Sequence, residues 1–175
     1  VKRKKMLNKN TPLKEVLQLA NPCKCNACTI GCKHGSGFLV EEDIPKIAEF
    51  LKITEEVLKK EFLEEVEKFN TKQFRPKIIR KGKPYGKCIF FDEGCKVHPV
   101  KPRECKISMG CKDYGEQLSL WFMLDNFVNK DDPESIRQYH THLKSGGKTL
   151  EGAKLEDLVP DKDRLKKILE FTILK

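Results

Sequence analysis

The chain has 175 residues, which suits one domain or one domain with an appendage. Hydrophobic residues make up 38% of it, ten Phe among them, and charged residues 35%, so a core can form and wholesale disorder is excluded. No apolar run approaches the roughly 18 residues needed to cross a bilayer, and no apolar segment follows the basic start VKRKKMLNKN, so the expectation is a cytoplasmic, reducing setting with neither membrane span nor secretory signal.

The formal net charge of +9 is unevenly spread. Eight Lys/Arg face one acid over residues 1–35, and twelve face three over 72–112. Residues 36–71 carry five against ten, and 113–175 carry ten against twelve. Both basic stretches are the ones that hold cysteine. One reading is an electrostatic footprint for a polyanion such as RNA. The other is local compensation. A four-cysteine site with one zinc, or with a 4Fe–4S cluster in its 2+ state, carries about −2, which nearby cations neutralise. Aromatic residues do not interleave with the basic runs as a stacking platform would require.

Taken in order, Thr11-Pro12 starts a helix with Thr as N-cap and Pro at its first position. Leu13, Val16, Leu17 and Leu19 give it an apolar face, and Asn21-Pro22 ends it. Lys33, His34 and Ser36, between Gly31 and Gly37, read as loop. Residues 41–51 read as a helix that tolerates Pro45 in its first turn, with Ile44, Ile47, Phe50 and Leu51 on one face. Thr54 caps a second helix striped by Leu58, Phe62, Val66 and Phe69. Residues 77–80 suggest a strand, Gly82, Pro84 and Gly86 a loop, and 88–98 a small hairpin turning at Glu93-Gly94. Pro102 opens a short helical turn that bears Cys105.

Beyond Cys111, Leu118, Trp121, Phe122, Leu124 and Phe127 build an amphipathic helix. Asp132-Pro133 starts the next, which Gly146-Gly147 terminates. A last helix follows Pro160-Asp161, with Leu165, Ile168, Leu169 and Ile173 on its apolar side. The expected fold is mainly α with a small β-hairpin, an irregular α+β arrangement organised around Cys-ligated metal sites. Cysteine and excess positive charge both stop near 112. That divides the chain into a cysteine-cluster metal-binding domain over 1–112 and a C-terminal helical extension over 113–175 packed on it.

Eight cysteines form two groups. The first is Cys23-x-Cys25-x2-Cys28-x3-Cys32. C-x2-C spacing lets two sulfurs reach one metal while the intervening backbone turns its N–H groups toward the thiolates. The second group, Cys88, Cys95, Cys105 and Cys111, has weak individual spacings. Its context helps, since two cysteines flank the expected hairpin and two lie on the Pro-rich return. Ordinary small hydrophobes in a core are the competing reading. Intracellular disulfides, as in some hyperthermophiles, are a further alternative compatible with the Lys- and Glu-rich composition.

Cys25-Asn-Ala-Cys28 leading to Cys32, then Gly37-Phe38-Leu39, Glu42-Asp43-Ile44 and Ile47-Ala48, resembles the front half of the zinc- or iron-chelating cysteine-cluster family (YkgJ-like, CxxCxxxCC). Gly86-Lys-Cys88-Ile-Phe-Phe, Gly94-Cys95-Lys-Val-His98-Pro99 and Lys101-Pro102-Arg103-Glu-Cys105 are similar to its back half. The resemblance covers about residues 23–111. It implies that Cys25, Cys28, Cys32, Cys88, Cys95 and Cys105 are metal or iron–sulfur ligands. The family usually ends its first motif in an adjacent Cys pair, where this chain has Gly31-Cys32, and Cys23 is a replacement candidate. With Cys111 the eight thiolates could hold two sites of four, whereas six or seven could hold one cluster.

All-thiolate sets suit zinc or iron–sulfur. Dense Cys-only spacing beside Pro favours iron–sulfur, as one or two 4Fe–4S clusters, with Zn2+ the alternative. His34 and His98 read as supporting residues rather than ligands, and His140 and His142, two apart on a helix, as surface residues. Asp92, Glu93 and Glu104 look like hairpin and turn residues. No Walker loop, dinucleotide fingerprint, HExxH or nucleophile elbow is present, and a Cys23–His34 nucleophile pair would lack a third orienting group. No catalytic residue and no small-molecule substrate are inferred. The expected function is an electron or metal carrier, or an accessory subunit, that docks to an acidic protein partner or complex. The alternative is a metal-stapled basic module binding RNA or a ribonucleoprotein.

Overall fold

The computed structural model describes residues 6–20, 26–107 and 114–175. Helix α1 (Leu13–Leu19) begins one residue later than expected, with Pro12 at its N-cap and no side-chain cap. The Thr11 hydroxyl instead turns back to accept the Asn8 N–H at 3.1 Å. Its carbonyl accepts the buried Trp121 Nε1–H at 2.9 Å, which ties α1 to the C-terminal half. Helix α2 (Asn26–His34) runs through what read as loop. Lys33 and His34 form its last turn, where the helix dipole favours cations. Helix α3 (Asp43–Leu51) buries Ile44, Ile47 and Ala48 and closes on Lys52 in the left-handed region at φ 57. Phe50, expected on its buried face, is 44% exposed.

The second expected helix is the main departure. Thr54 does cap it, accepting the Val57 N–H at 3.2 Å. But α4 (Glu55–Val57) lasts one turn and widens into a π-type turn over Leu58–Phe62. The chain then extends into β1 (Leu63–Lys68), which pairs antiparallel with β2 (Thr71–Pro76), Leu63 opposite Pro76 and Lys68 opposite Thr71. The turn residues Phe69 and Asn70 both have positive φ, 49 and 56, as a type I′ hairpin turn requires. Asn tolerates this conformation but Phe does not favour it, so packing holds it there. Phe69 is buried edge-on against Tyr139 and His142. Asn70 donates its N–H to Gln138 at 2.9 Å and its side-chain amide to Asp132 at 2.7 Å. Glu64 lies opposite Arg75 across the strands and pairs with it at 2.8 Å and with Arg80 at 2.9 Å.

Strands β3 (Ile78–Ile79) and β4 (Lys87–Cys88) make a second two-stranded antiparallel sheet. The hairpin expected over 88–98 shrinks to one bridge between Phe91 and Cys95, around Glu93 at φ 56. Pro102 is followed by α5 (Arg103–Ile107), as expected. Helices α6 (Gly115–Asn126), α7 (Pro133–Lys144), α8 (Leu155–Leu158) and α9 (Lys162–Leu169) complete the described chain. Asp132 and Asp161 cap α7 and α9 by accepting the Glu134 and Arg164 N–H, each at 3.0 Å. Among these four C-terminal helices, the short α8 had no sequence signal.

The architecture is mainly α with two small antiparallel sheets. It has two apolar cores. The larger joins α1 to α6–α9 through Val16, Leu118, Trp121, Phe122, Ile136, Tyr139 and Ile168. The smaller collects Leu39, Ile44, Ile47, Leu58, Leu63, Cys88, Phe90, Phe91 and Val97. His140 and His142 are half-buried rather than free on the surface, and His142 stacks on Tyr139. Among the described residues no helix is long and apolar enough to cross a membrane.

Candidate metal centre

Four described cysteines come from four places. Cys32 lies on α2, Cys88 at the end of β4, Cys95 in the bridge with Phe91, and Cys105 on α5. All four are free thiols, so the disulfide alternative fails for them. Although they span 73 positions, their charges act on one another: Cys32 with Cys95, Cys88 with both, and Cys105 with Cys32 and Cys88. Packing of α2 against β4, and of the 37–38 segment against α5, brings them together.

Backbone donors are aimed at three of the sulfurs. The N–H groups of Phe90 and Phe91 pull the Cys88 thiol toward thiolate, that of Val97 does so at Cys95 and that of Gly37 at Cys105, since an N–H dipole favours charged sulfur. Burial opposes them and wins. It pushes the Cys88 thiol up to about 11 and that of Cys105 further, the latter helped by the neighbouring Glu104 charge. Cys32 and Cys95 are also raised, by burial first, with Lys101 pulling both back. Alone, these groups stay protonated near neutral pH, and a cation is what converts them to ligands. The donor set is therefore chemically suited to a thiophilic metal. Among the described residues, no three Cys, His, Asp or Glu side chains come together closely enough to hold an ion between them. Cys23, Cys25 and Cys111, and the side chain of Cys28, lie outside the described residues, so the densest part of the first motif does too.

The supporting residues carried weaker sequence signals. Glu104 is not a simple turn residue. Its carboxylate accepts the Phe38 N–H at 2.7 Å while its own N–H donates to the Phe38 carbonyl at 3.3 Å. Burial pushes its carboxyl up, against the pull of the Phe38 N–H, Lys68 and Arg75. This double link presses Gly37 onto Cys105. A Cβ at Gly37 would stand 2.5 Å from the Cys105 sulfur, so only glycine fits. Asp43, 2% exposed, accepts the Val40 N–H at 3.0 Å and the Arg103 N–H at 2.7 Å, joining the start of α3 to the start of α5. Gly37 and Asp43 stood inside the recognised motifs without an assigned role. His34 is exposed and meets Tyr85 edge-on, while His98 is exposed in a short 3-10 turn. Asp92 and Glu93 are exposed turn residues, as expected.

No curated protein and no solved structure matches the chain. A family profile does, and it runs 30 residues past Cys111, through α6 and into α7, so the larger core contributes to the family pattern. Because that profile matches residues 24–141, the chain belongs to the family described as Putative zinc- or iron-chelating domain (CxxCxxCC).

Proposed function

We propose that this protein holds an iron–sulfur cluster, with Zn2+ as the alternative occupant, and serves as an electron or metal carrier or as an accessory subunit of a larger assembly. Cys25, Cys28, Cys32, Cys88, Cys95 and Cys105 are the proposed ligands, with Cys23 and Cys111 completing the sulfur set. The observation that carries this reading is the approach of Cys32, Cys88, Cys95 and Cys105 from separate elements, with backbone N–H groups that favour the thiolate at three of them. When bound, a metal or cluster supplies the positive charge that stabilises buried thiolates, and iron–sulfur adds a one-electron couple. The protein's own part is to desolvate the sulfurs, aim N–H dipoles at them, and place Lys101 where its charge acts on Cys32 and Cys95.

Oxygen-free purification followed by metal analysis, visible absorption and EPR tests this directly. Iron and labile sulfide in equal amounts are expected. Colourless protein with stoichiometric zinc removes the electron-carrier role and leaves the metal-binding one. Neither metal at stoichiometric level overturns the reading. Cys88→Ser and Cys105→Ser should each lower metal content, whereas His140→Ala should not.

A further inference from the structure

We propose that the loop 80–86 between β3 and β4, with Lys87 at the start of β4 and the end of α2, binds single-stranded nucleic acid by gripping its phosphates and stacking a base on Tyr85. This stretch carries Arg80, Lys81, Lys83 and Lys87, and no acid occurs from Phe69 through Phe91. The adjoining hairpin neutralises its own cations, Lys72 with Glu65 and Arg75 with Glu64, and Glu64 also takes up Arg80 at the root of the loop. The lysines beyond it stay unpaired: among the described residues, Lys81, Lys83 and Lys87, and Lys33 with them, have no carboxylate within 4.0 Å. Cations clustered without internal partners repel one another and favour an external polyanion.

Charge alone would suit an acidic protein equally well, and Tyr85 decides between the two. It is 46% exposed at the centre of the basic loop, and its hydroxyl takes no hydrogen bond among the described residues. Lys83 Nζ lies 5.6 Å from the ring centroid, and His34, the last residue of α2, meets the ring edge-on at 5.5 Å. Ile79, at the root of the loop, is 43% exposed. An aromatic ring standing among cations is the pairing that single-strand binding uses, with bases on the ring and phosphates on the ammonium groups. Lys81, Lys83, Tyr85 and Lys87 interleave along the chain itself, which corrects the expectation that no aromatic residue stands within the basic runs, and the fold adds His34 beside the ring.

The loop is also built rather than slack. The Lys83 N–H closes on the Arg80 carbonyl at 2.9 Å, and Lys81 and Gly82 take φ 45 and 78. At Gly86 a Cβ would press into the Ile79 backbone, so the two arms of the loop touch at its base. A pre-shaped loop loses little freedom on binding.

Fluorescence anisotropy of the full-length, metal-loaded protein with a fluorescein-labelled 15-nucleotide oligouridine tests this between 50 and 300 mM KCl. The parent should bind, and more weakly as salt rises. The Lys81→Gln/Lys83→Gln/Lys87→Gln variant should lose at least about ten-fold in affinity, and its log–log salt slope should flatten by about 2. Tyr85→Ala should lose about five-fold or more with its slope unchanged. A Lys144→Gln/Lys162→Gln/Lys167→Gln variant, which removes the same charge elsewhere, should match the parent. All variants change exposed side chains and should keep the parent's metal content and circular dichroism. Oligothymidine of equal length shows whether the sugar matters, and binding of either strand supports the proposal. No binding at 50 mM KCl overturns it, as does equal weakening by the control variant. An inert Tyr85→Ala, with polyglutamate displacing the probe as well as unlabelled RNA does, also overturns it and makes the loop a surface for acidic protein.

Discussion

The two apolar cores solve the same problem by different means. The core of α1 and α6–α9 is predominantly apolar, gathering Phe122, Trp121, Val16, Ile136 and Ile168, and its buried phenol, Tyr139, donates to the Ala153 carbonyl at 2.8 Å. The cysteine-bearing core is smaller and irregular. Its β3–β4 sheet is only two residues deep, too short to be stable alone. Its turns need left-handed residues at Lys52, Lys81 and Glu93. It buries thiols that must ionise to act as ligands. One core closes through area removed from water. On the proposed function, the other closes fully once its sulfurs are cross-linked through a metal.

The largest expected effect follows from that contrast. Chelation under reducing conditions should abolish amide protection in β3, β4 and residues 88–105 while α6 and α7 stay protected, as hydrogen exchange will read. The metal's contribution should be on the order of 10 kcal/mol. Loss of protection across the whole chain at once would erase the distinction between the cores. Next comes Phe122→Ala in the hydrocarbon core, at a site 1% exposed. It should cost about 3–5 kcal/mol in denaturant unfolding and leave the metal content unchanged.

Gly37→Ala should do the reverse on a smaller scale. Its Cβ would meet the Cys105 sulfur at 2.5 Å and the Cys105 nitrogen at 3.0 Å, costing about 1–3 kcal/mol and altering the visible spectrum of the loaded protein. Gly35→Ala, whose Cβ would meet nothing nearer than the Gly31 carbonyl oxygen at 3.9 Å, should leave that spectrum intact.

The smallest effect is electrostatic and belongs to neither core. The Arg80 hydrogen bond first, then Arg75, hold the Glu64 carboxyl below its ordinary range. Because the folded value lies below the unfolded one, the stabilisation is fully present above the ordinary Glu value, about 4.3. It is lost as pH falls through the lower folded value. Glu64→Gln should flatten stability against pH in that acidic window, by less than about 1 kcal/mol. An unchanged slope would mean that the hairpin's register rests on its backbone ladder alone.

Local signals read well wherever a few adjacent residues hold all the necessary physics. The Asp132 and Asp161 caps, the Pro102 start of α5, and the apolar spacing of α6 each specify an element without reference to the rest of the chain. The cysteine spacing and the Cys88–Cys105 motif likewise pointed to a family before any fold was in view.

Where distant groups had to meet, sequence alone was silent or misleading. Leu58, Phe62, Val66 and Phe69 fit a helical stripe, yet residues 63–76 form a hairpin. Its turn depends on Tyr139, Gln138 and Asp132, 62 or more positions away, to hold two left-handed residues that no glycine marks. Glu104 looked like a turn residue because its partner, the Phe38 N–H, lies 66 positions back. The sequence by itself determined the helical elements of the C-terminal half and the chemistry available at the sulfurs, since caps, apolar period and residue type act over one or two turns. Tertiary structure alone decided which sulfurs approach, which glycine must leave room for one, and which histidine meets the tyrosine of the basic loop. Those facts depend on packing between segments that no short-range rule connects.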